Sequence, residues 1–187
     1  MRLILFAITL TFSLAATSRP MATDSSQTIE WLKDLNDQET FRAVKLTEAE
    51  QKQIIDQVEA TAFDTPDSWE SELRVRRVSL GESDGLVIRA TKMLCGGTGN
   101  CETWVFRRSQ GKWLNLFDRE APVISGFGFE HEASAGIRNL LVSAERSVGK
   151  ENRILFKFDG NFYRQSECYE ADLSSTGDET THKVACK

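Results

Sequence analysis

Proline occupies 3 of 187 positions, histidine only 2, and no long apolar run recurs after the first residues. Each scarcity excludes something. So few prolines leave no Pro-rich linker or low-complexity tract. Two histidines, His131 and His182, exclude metal centres built on several imidazoles. The lack of a second apolar run excludes a membrane-spanning helix. No G-x-S-x-G elbow is present, no C-x2-C pair, and no glycine-rich loop followed by lysine and a helix. A hydrolase elbow, a zinc ribbon and a phosphate loop therefore lack their signatures. A basic excess is missing too: 23 Lys plus Arg against 28 Asp plus Glu give a net charge of −5, which argues against a general nucleic-acid binder.

What is present begins at the N-terminus. Residues 1 to 18 read MRLILFAITLTFSLAATS, one arginine followed by an apolar run and small residues. This is the pattern of a signal peptide, with small-x-small cleavage options at Ser13-Leu14-Ala15 and Ala16-Thr17-Ser18. No cysteine follows the run to carry a lipid, so the expected location is the periplasm or the exterior. Residues 19–27 read as a disordered lead-in. The remaining 28–187 suffice for one domain that buries roughly two thirds of its extended-chain surface.

All four cysteines, Cys95, Cys101, Cys168 and Cys186, lie beyond the export segment. An oxidising compartment favours their pairing. Four cysteines allow three connectivities. The preferred one joins Cys95 to Cys101 around the loop GGTGN and Cys168 to Cys186 along the C-terminal tail, each contributing about 2 to 3 kcal/mol by loop entropy. Zinc is the competing use, and the irregular spacing disfavours it.

Two helical patterns precede the sheet region. Ile29, Leu32 and Leu35 recur at a spacing of three beside Trp31, which predicts a short helix ending near Asn36-Asp37. Thr47-Glu48-Ala49-Glu50 is a capping box, and Gln51, Ile54, Ile55 and Val58 mark one face of a second helix up to about Ala62. From Leu73 onward the period becomes two. Strands are expected near 72–80, 85–93, 102–109, 112–117, 122–128, 138–145, 152–158 and 161–166, with Asp159-Gly160 as a tight hairpin turn. The expected class is therefore α+β: a helical part at 28–67, an antiparallel meander of six to eight strands at 72–168, and a disulfide-tethered tail at 169–187.

An internal repeat emerges on aligning DGLVIRA (84–90) and CETWVFRRSQGKW (101–113) with RNLLVSA (138–144) and ENRILFKFDGNFY (151–163). Leu86 then corresponds to Leu140, Phe106 to Phe156, Gly111 to Gly160 and Trp113 to Phe162, in units of about 50 residues. Two ordinary meanders sharing turn chemistry are the alternative. Gly136-Ile137-Arg138-Asn139-Leu140-Leu141-Val142 with Phe156-Lys157-Phe158-Asp159-Gly160-Asn161-Phe162 resembles a degenerate FG-GAP or VCBS-type β repeat. Such repeats commonly carry an Asp-rich calcium loop, whereas this chain has Glu132-Ala133-Ser134-Ala135 there and Asn139 in place of Asp. The region 73–168, centred on CGGTGNCETWVFRR, also resembles uncharacterised exported bacterial β-rich proteins, which implies location and fold but no activity.

Candidate chemistry is sparse. Glu130-His131-Glu132 is the one cluster suited to acid–base work, but neighbours on an extended segment face opposite sides. Charge is unevenly spread. Residues 22–72 hold 13 acidic and 4 basic side chains, 4 − 13 = −9, while 73–120 hold 9 basic and 5 acidic, 9 − 5 = +4. Arg74, Arg76, Arg89, Arg107 and Arg108 are thus candidates for an anion-binding or partner face, unless the acidic helices screen them. The aromatic residues of the strands read as core. No cofactor is called for. The expected function is an exported, non-enzymatic binding or envelope-accessory module that recognises a protein or glycan partner or inhibits an extracellular hydrolase. The alternative is a small secreted hydrolase using Glu130, His131 or Glu132.

Overall fold

The computed structural model describes residues 30–31, 39–60, 69–91, 95, 97–118 and 120–186. The export segment 1–18 and the lead-in 19–27 lie outside the described residues. Among the described residues are twelve strands and one α-helix: β1 (Glu30–Trp31), β2 (Glu39–Thr40), α1 (Glu48–Glu59), β3 (Leu73–Ser79), β4 (Asp84–Ala90), β5 (Cys101–Ser109), β6 (Lys112–Asn115), β7 (Val123–Ile124), β8 (Gly126–Ser134), β9 (Ile137–Ser147), β10 (Lys150–Phe158), β11 (Tyr163–Leu173) and β12 (Glu179–Val184). A 3-10 turn, Trp69–Glu72, leads into β3.

The α+β expectation with N-terminal helices is overturned. Among the described residues the chain is mostly strand, with one helix of 12 residues. Glu30–Trp31, placed by periodicity in a first helix, instead pair antiparallel with β8, Glu30 opposite Phe129 and Trp31 opposite Gly128. Three apolar residues spaced by three make a short signal, and an open strand edge that can satisfy backbone groups outweighs it. Ile29 and positions 32–37 of that expected helix lie outside the described residues. Helix α1 forms where its capping box places it: the Glu50 amide donates to Thr47 Oγ1 at 3.2 Å and the Thr47 amide to Glu50 Oε2 at 3.0 Å.

Two antiparallel sheets carry the fold. Sheet one runs β1-β8-β9-β10-β11-β12 and sheet two runs β2-β3-β4-β5-β6, with β7 pairing β5. The strand expected at 122–128 divides at Ser125, whose amide bonds the Ser143 carbonyl at 2.8 Å. There the chain leaves sheet two and enters sheet one. The strand expected at 161–166 runs on to Leu173, and part of the disulfide-tethered tail forms β12, with Cys168 opposite Val184 and Leu173 opposite Glu179. The Asp159-Gly160 hairpin is a four-residue connection in which Gly160 takes positive φ (108°) and the Asp159 amide bonds the Phe162 carbonyl at 2.9 Å.

The two 50-residue units fall on the meanders β4–β5–β6 and β9–β10–β11. Their matched residues face different neighbours. Leu140 and Phe156 join Val87, Val105, Leu116, Phe127 and Phe129 in a core between the sheets. Leu86, Phe106 and Trp113 pack with Ile54 and Val58 of α1 on the far side of sheet two. The layers therefore stack head to tail, α1 on sheet two and sheet two on sheet one, with side chains alternating across each strand.

Helix α1 also closes the free edge of sheet two. Gln53 Oε1 accepts the Trp113 amide at 3.0 Å, Gln57 Oε1 accepts the Asn115 amide at 2.9 Å, and Gln57 Nε2 donates to the Trp113 carbonyl at 2.9 Å. Two glutamine amides thus replace a neighbouring strand along β6.

Candidate functional site

Both disulfides have the expected connectivity, Cys95–Cys101 and Cys168–Cys186. The loop closed by Cys95–Cys101 is held down as well as cross-linked. Asn100 Nδ2 donates to the Glu145 carbonyl at 2.9 Å and the Glu145 amide donates to Asn100 Oδ1 at 3.0 Å. One side-chain amide thereby mimics a strand residue beside β9 and ties the loop of sheet two to sheet one.

Arg89 completes that clasp. It lies on β4, is 3% exposed, and donates from Nη2 to the carbonyls of Ile124 at 3.0 Å and Gly99 at 3.4 Å. Burial lowers its pKa, because a guanidinium held by carbonyl dipoles has lost most of its hydration. Register places Arg74 opposite Arg89, Arg76 opposite Val87, and Arg107 opposite Gly85. Arg74, Arg76, Arg89 and Arg107 therefore share the face of sheet two that looks toward sheet one. Arg74 is held by the carbonyls of Ser71 and Leu73, each at 3.0 Å. The Arg107 guanidinium lies 4.9 Å from the centre of the Phe158 ring. Arg108 points the other way, 5.8 Å from the Trp113 ring centre and 3.2 Å from Glu50 Oε1.

Glu130, His131 and Glu132 are not gathered. Glu130 is 3% exposed and accepts from Asn139 Nδ2 at 3.0 Å, while His131 and Glu132 are exposed. The pairing of β8 with β9 shifts register between Phe129 and Ala133, which turns this segment across its neighbour. Among the described residues no three His, Cys, Asp or Glu side chains converge as a metal site.

Sequence reasoning missed a concave surface on sheet one. Strands β9 to β12 run on past the core they share with sheet two, leaving a groove of about 260 Å³. Ile154, Cys168 and Val184 form its floor, with Asn152, Arg146 and Glu170 beyond them. Ile154 stands opposite Cys168, which stands opposite Val184, so the three make one row across β10, β11 and β12. Arg146 Nη1 reaches Glu170 Oε1 at 2.7 Å, crossing over β10. The Cys168–Cys186 disulfide holds the outer wall. Only the length of β11 and the existence of β12 create this shelf. The one sequence signal was the period-two segment Ser166–Leu173, obscured by a bulge near Gln165.

Arg153 and Tyr169, which also border the groove, belong to a charge network on the same strands. Arg153 bonds Glu179 at 2.6 and 2.8 Å and Glu151 at 3.2 Å, Lys183 Nζ lies 2.7 Å from Glu167 Oε2, and Tyr169 donates to the same Glu167 carboxylate. The hydrogen bond to Glu167 and partial burial push the Tyr169 phenol up to about 12, while Lys183 and Tyr169 hold Glu167 below the usual carboxylate range.

No protein-family model matches the chain, and no curated protein or solved structure matches it either. Among the described residues no helix is long and apolar enough to cross a membrane.

Proposed function

We propose that the protein is an exported, non-enzymatic binding module that engages a polypeptide partner through the shelf of β9 to β12. The observation that carries this reading is the groove itself: an apolar floor of Ile154, Cys168 and Val184, rimmed by both signs of charge at Arg146 and Glu170. An extended peptide offers apolar side chains and charges of both signs at that spacing. A nucleic acid would call for a basic groove. A glycan platform would call for several exposed aromatics, whereas Trp104, Trp113, Phe127, Phe129 and Phe156 are buried. The signal-like N-terminus and two disulfides support an oxidising destination, periplasmic or secreted. In this reading the 95–101 loop, tied down by Asn100 and Arg89, is a clasp between the sheets. The dispersed positions of Glu130, His131 and Glu132 favour binding over the hydrolase alternative.

The test is capture from envelope and culture extracts with the mature, disulfide-bonded protein as bait. Glu170→Arg and Asn152→Trp alter the groove without touching the inter-sheet core. Both should lose a partner that wild type retains, and a bait whose 95–101 loop is replaced by a two-residue turn should keep it. Retention of every captured protein by both groove variants would refute the assignment.

A further inference from the structure

The two sheets end differently. The edge strand β6 is covered by the Gln53 and Gln57 amides of α1. At the other extreme β12 pairs with β11 alone among the described strands, and all six of its residues are exposed. An edge left open in this way is a template for another strand. It is also well ordered for pairing. The Cys168–Cys186 disulfide fixes its far end, and the turn before it is braced by Ser174 Oγ, which accepts the amides of Asp178 at 3.0 Å and Thr176 at 3.3 Å.

The sequence of β12, Glu179-Thr180-Thr181-His182-Lys183-Val184, identifies the strand that fits. Glu179, Thr181 and Lys183 share one face. An antiparallel copy centred on Thr181 places Glu179 opposite the partner's Lys183, Lys183 opposite the partner's Glu179, and the two Thr181 residues opposite each other. Opposite-charge and Thr–Thr neighbours are favourable cross-strand pairs. A parallel copy in register would set Glu179 beside Glu179, and an antiparallel shift of two residues would lose both charge pairs. Within each chain Arg153 already grips Glu179 and Glu167 grips Lys183. The central register thus completes a row in which charge alternates: Arg153, Glu179, the partner's Lys183, the partner's Glu167. Edge charges usually repel a second strand. Here their symmetry about Thr181 makes copies attract.

We propose that β12 is a homodimerisation edge, joining two copies about a two-fold axis through Thr181 into a continuous twelve-stranded sheet. The interface is isologous and consumes the open edge, so assembly closes at two. Each dimer would carry two shelves on the same face of that sheet.

Sedimentation equilibrium of the mature, disulfide-bonded protein from about 1 to several hundred micromolar tests this, at low and high salt. The expected species is a dimer that weakens as salt rises, because its ion pairs are exposed. Lys183→Glu and Glu179→Lys each replace two attractive pairs by repulsive ones and should raise the dimer dissociation constant about tenfold or more. The double swap Glu179→Lys/Lys183→Glu should bring it back toward wild type. Thr181→Cys leaves every charge in place and provides an independent readout. Under oxidation it should form a cross-linked dimer, whereas Val148→Cys in the exposed β9–β10 turn should not. A protein that stays monomeric throughout with no Thr181→Cys cross-link, or a dimer indifferent to both single charge reversals, would overturn the proposal. The edge would then be one protected by its own charges.

Discussion

Asn100 shows how much one side chain can carry. Its amide forms two hydrogen bonds with the Glu145 backbone, at 2.9 and 3.0 Å, across the seam between the sheets. Asn100→Ala leaves the Glu145 amide and carbonyl without these partners in a part-buried site, which costs about 1 to 3 kcal/mol. Urea unfolding should show that loss as a lower midpoint with an unchanged slope. Asp159 makes a different prediction, in pH. Its Oδ1 accepts the amides of Asn161 and Phe162, both at 2.8 Å, and Arg164 Nε reaches Oδ2 at 2.9 Å. These bonds hold the carboxyl at about 2, below an ordinary value of about 3.9. A depressed carboxylate stabilises the fold fully above the unfolded value, and the contribution is lost as pH falls through the folded one. The stability gap between wild type and Asp159→Ala should therefore be constant above about pH 5 and narrow progressively toward about pH 2. A gap independent of pH would mean that the carboxylate charge contributes nothing.

Elements depend on signals of very different reach. Helix α1 was legible because its capping box is local, four residues that satisfy each other. Thr47→Ala should lower stability by about 1 kcal/mol in thermal or urea unfolding. The strands from Leu73 to Phe158 were legible for a similar reason: alternation is a property of the segment itself. Glu30–Trp31 were misread because their conformation is set by β8, a hundred residues away. Strand β12 was missed because its six residues are all exposed, so no hydrophobic alternation marks it. Its place is secured by pairing with β11 and by Cys186. Replacing Cys168 and Cys186 by serine should cost about 2 to 4 kcal/mol. Amide exchange should accelerate first in β12 and the adjoining half of β11, while β3 to β6 remain protected.

At the scale of the whole molecule, the core between the sheets makes the two meanders one folding unit. Phe156 is 6% exposed and packs edge-on against Phe117, ring centres 5.6 Å apart. Phe156→Ala should cost about 3 to 5 kcal/mol. Because Val87, Val105 and Phe156 share one cluster, tryptophan fluorescence from sheet two and far-ultraviolet dichroism should shift together in a single transition. Separate transitions would show that the sheets fold independently. The arginines illustrate why a candidate surface could not be read from spacing alone. Their sharing of a strand face followed from alternation, but which face met the other sheet did not. Arg89 is consumed in the seam, Arg107 lies over Phe158, and Arg108 turns to α1.

The sequence by itself determined the capped helix and most of the strands and favoured the disulfide pairing that the structure shows, because each rests on neighbours in the chain: a capping box, alternation, turn residues, loop closure. Only the tertiary structure decided that the meanders stack head to tail, that the 95–101 loop is a clasp, that β9 to β12 overhang their neighbour to form a groove, and that β12 pairs with β11 alone among the described strands. Those outcomes depend on which face of a strand is covered and how far its partner extends. Such relations lie between segments, and no single segment encodes them.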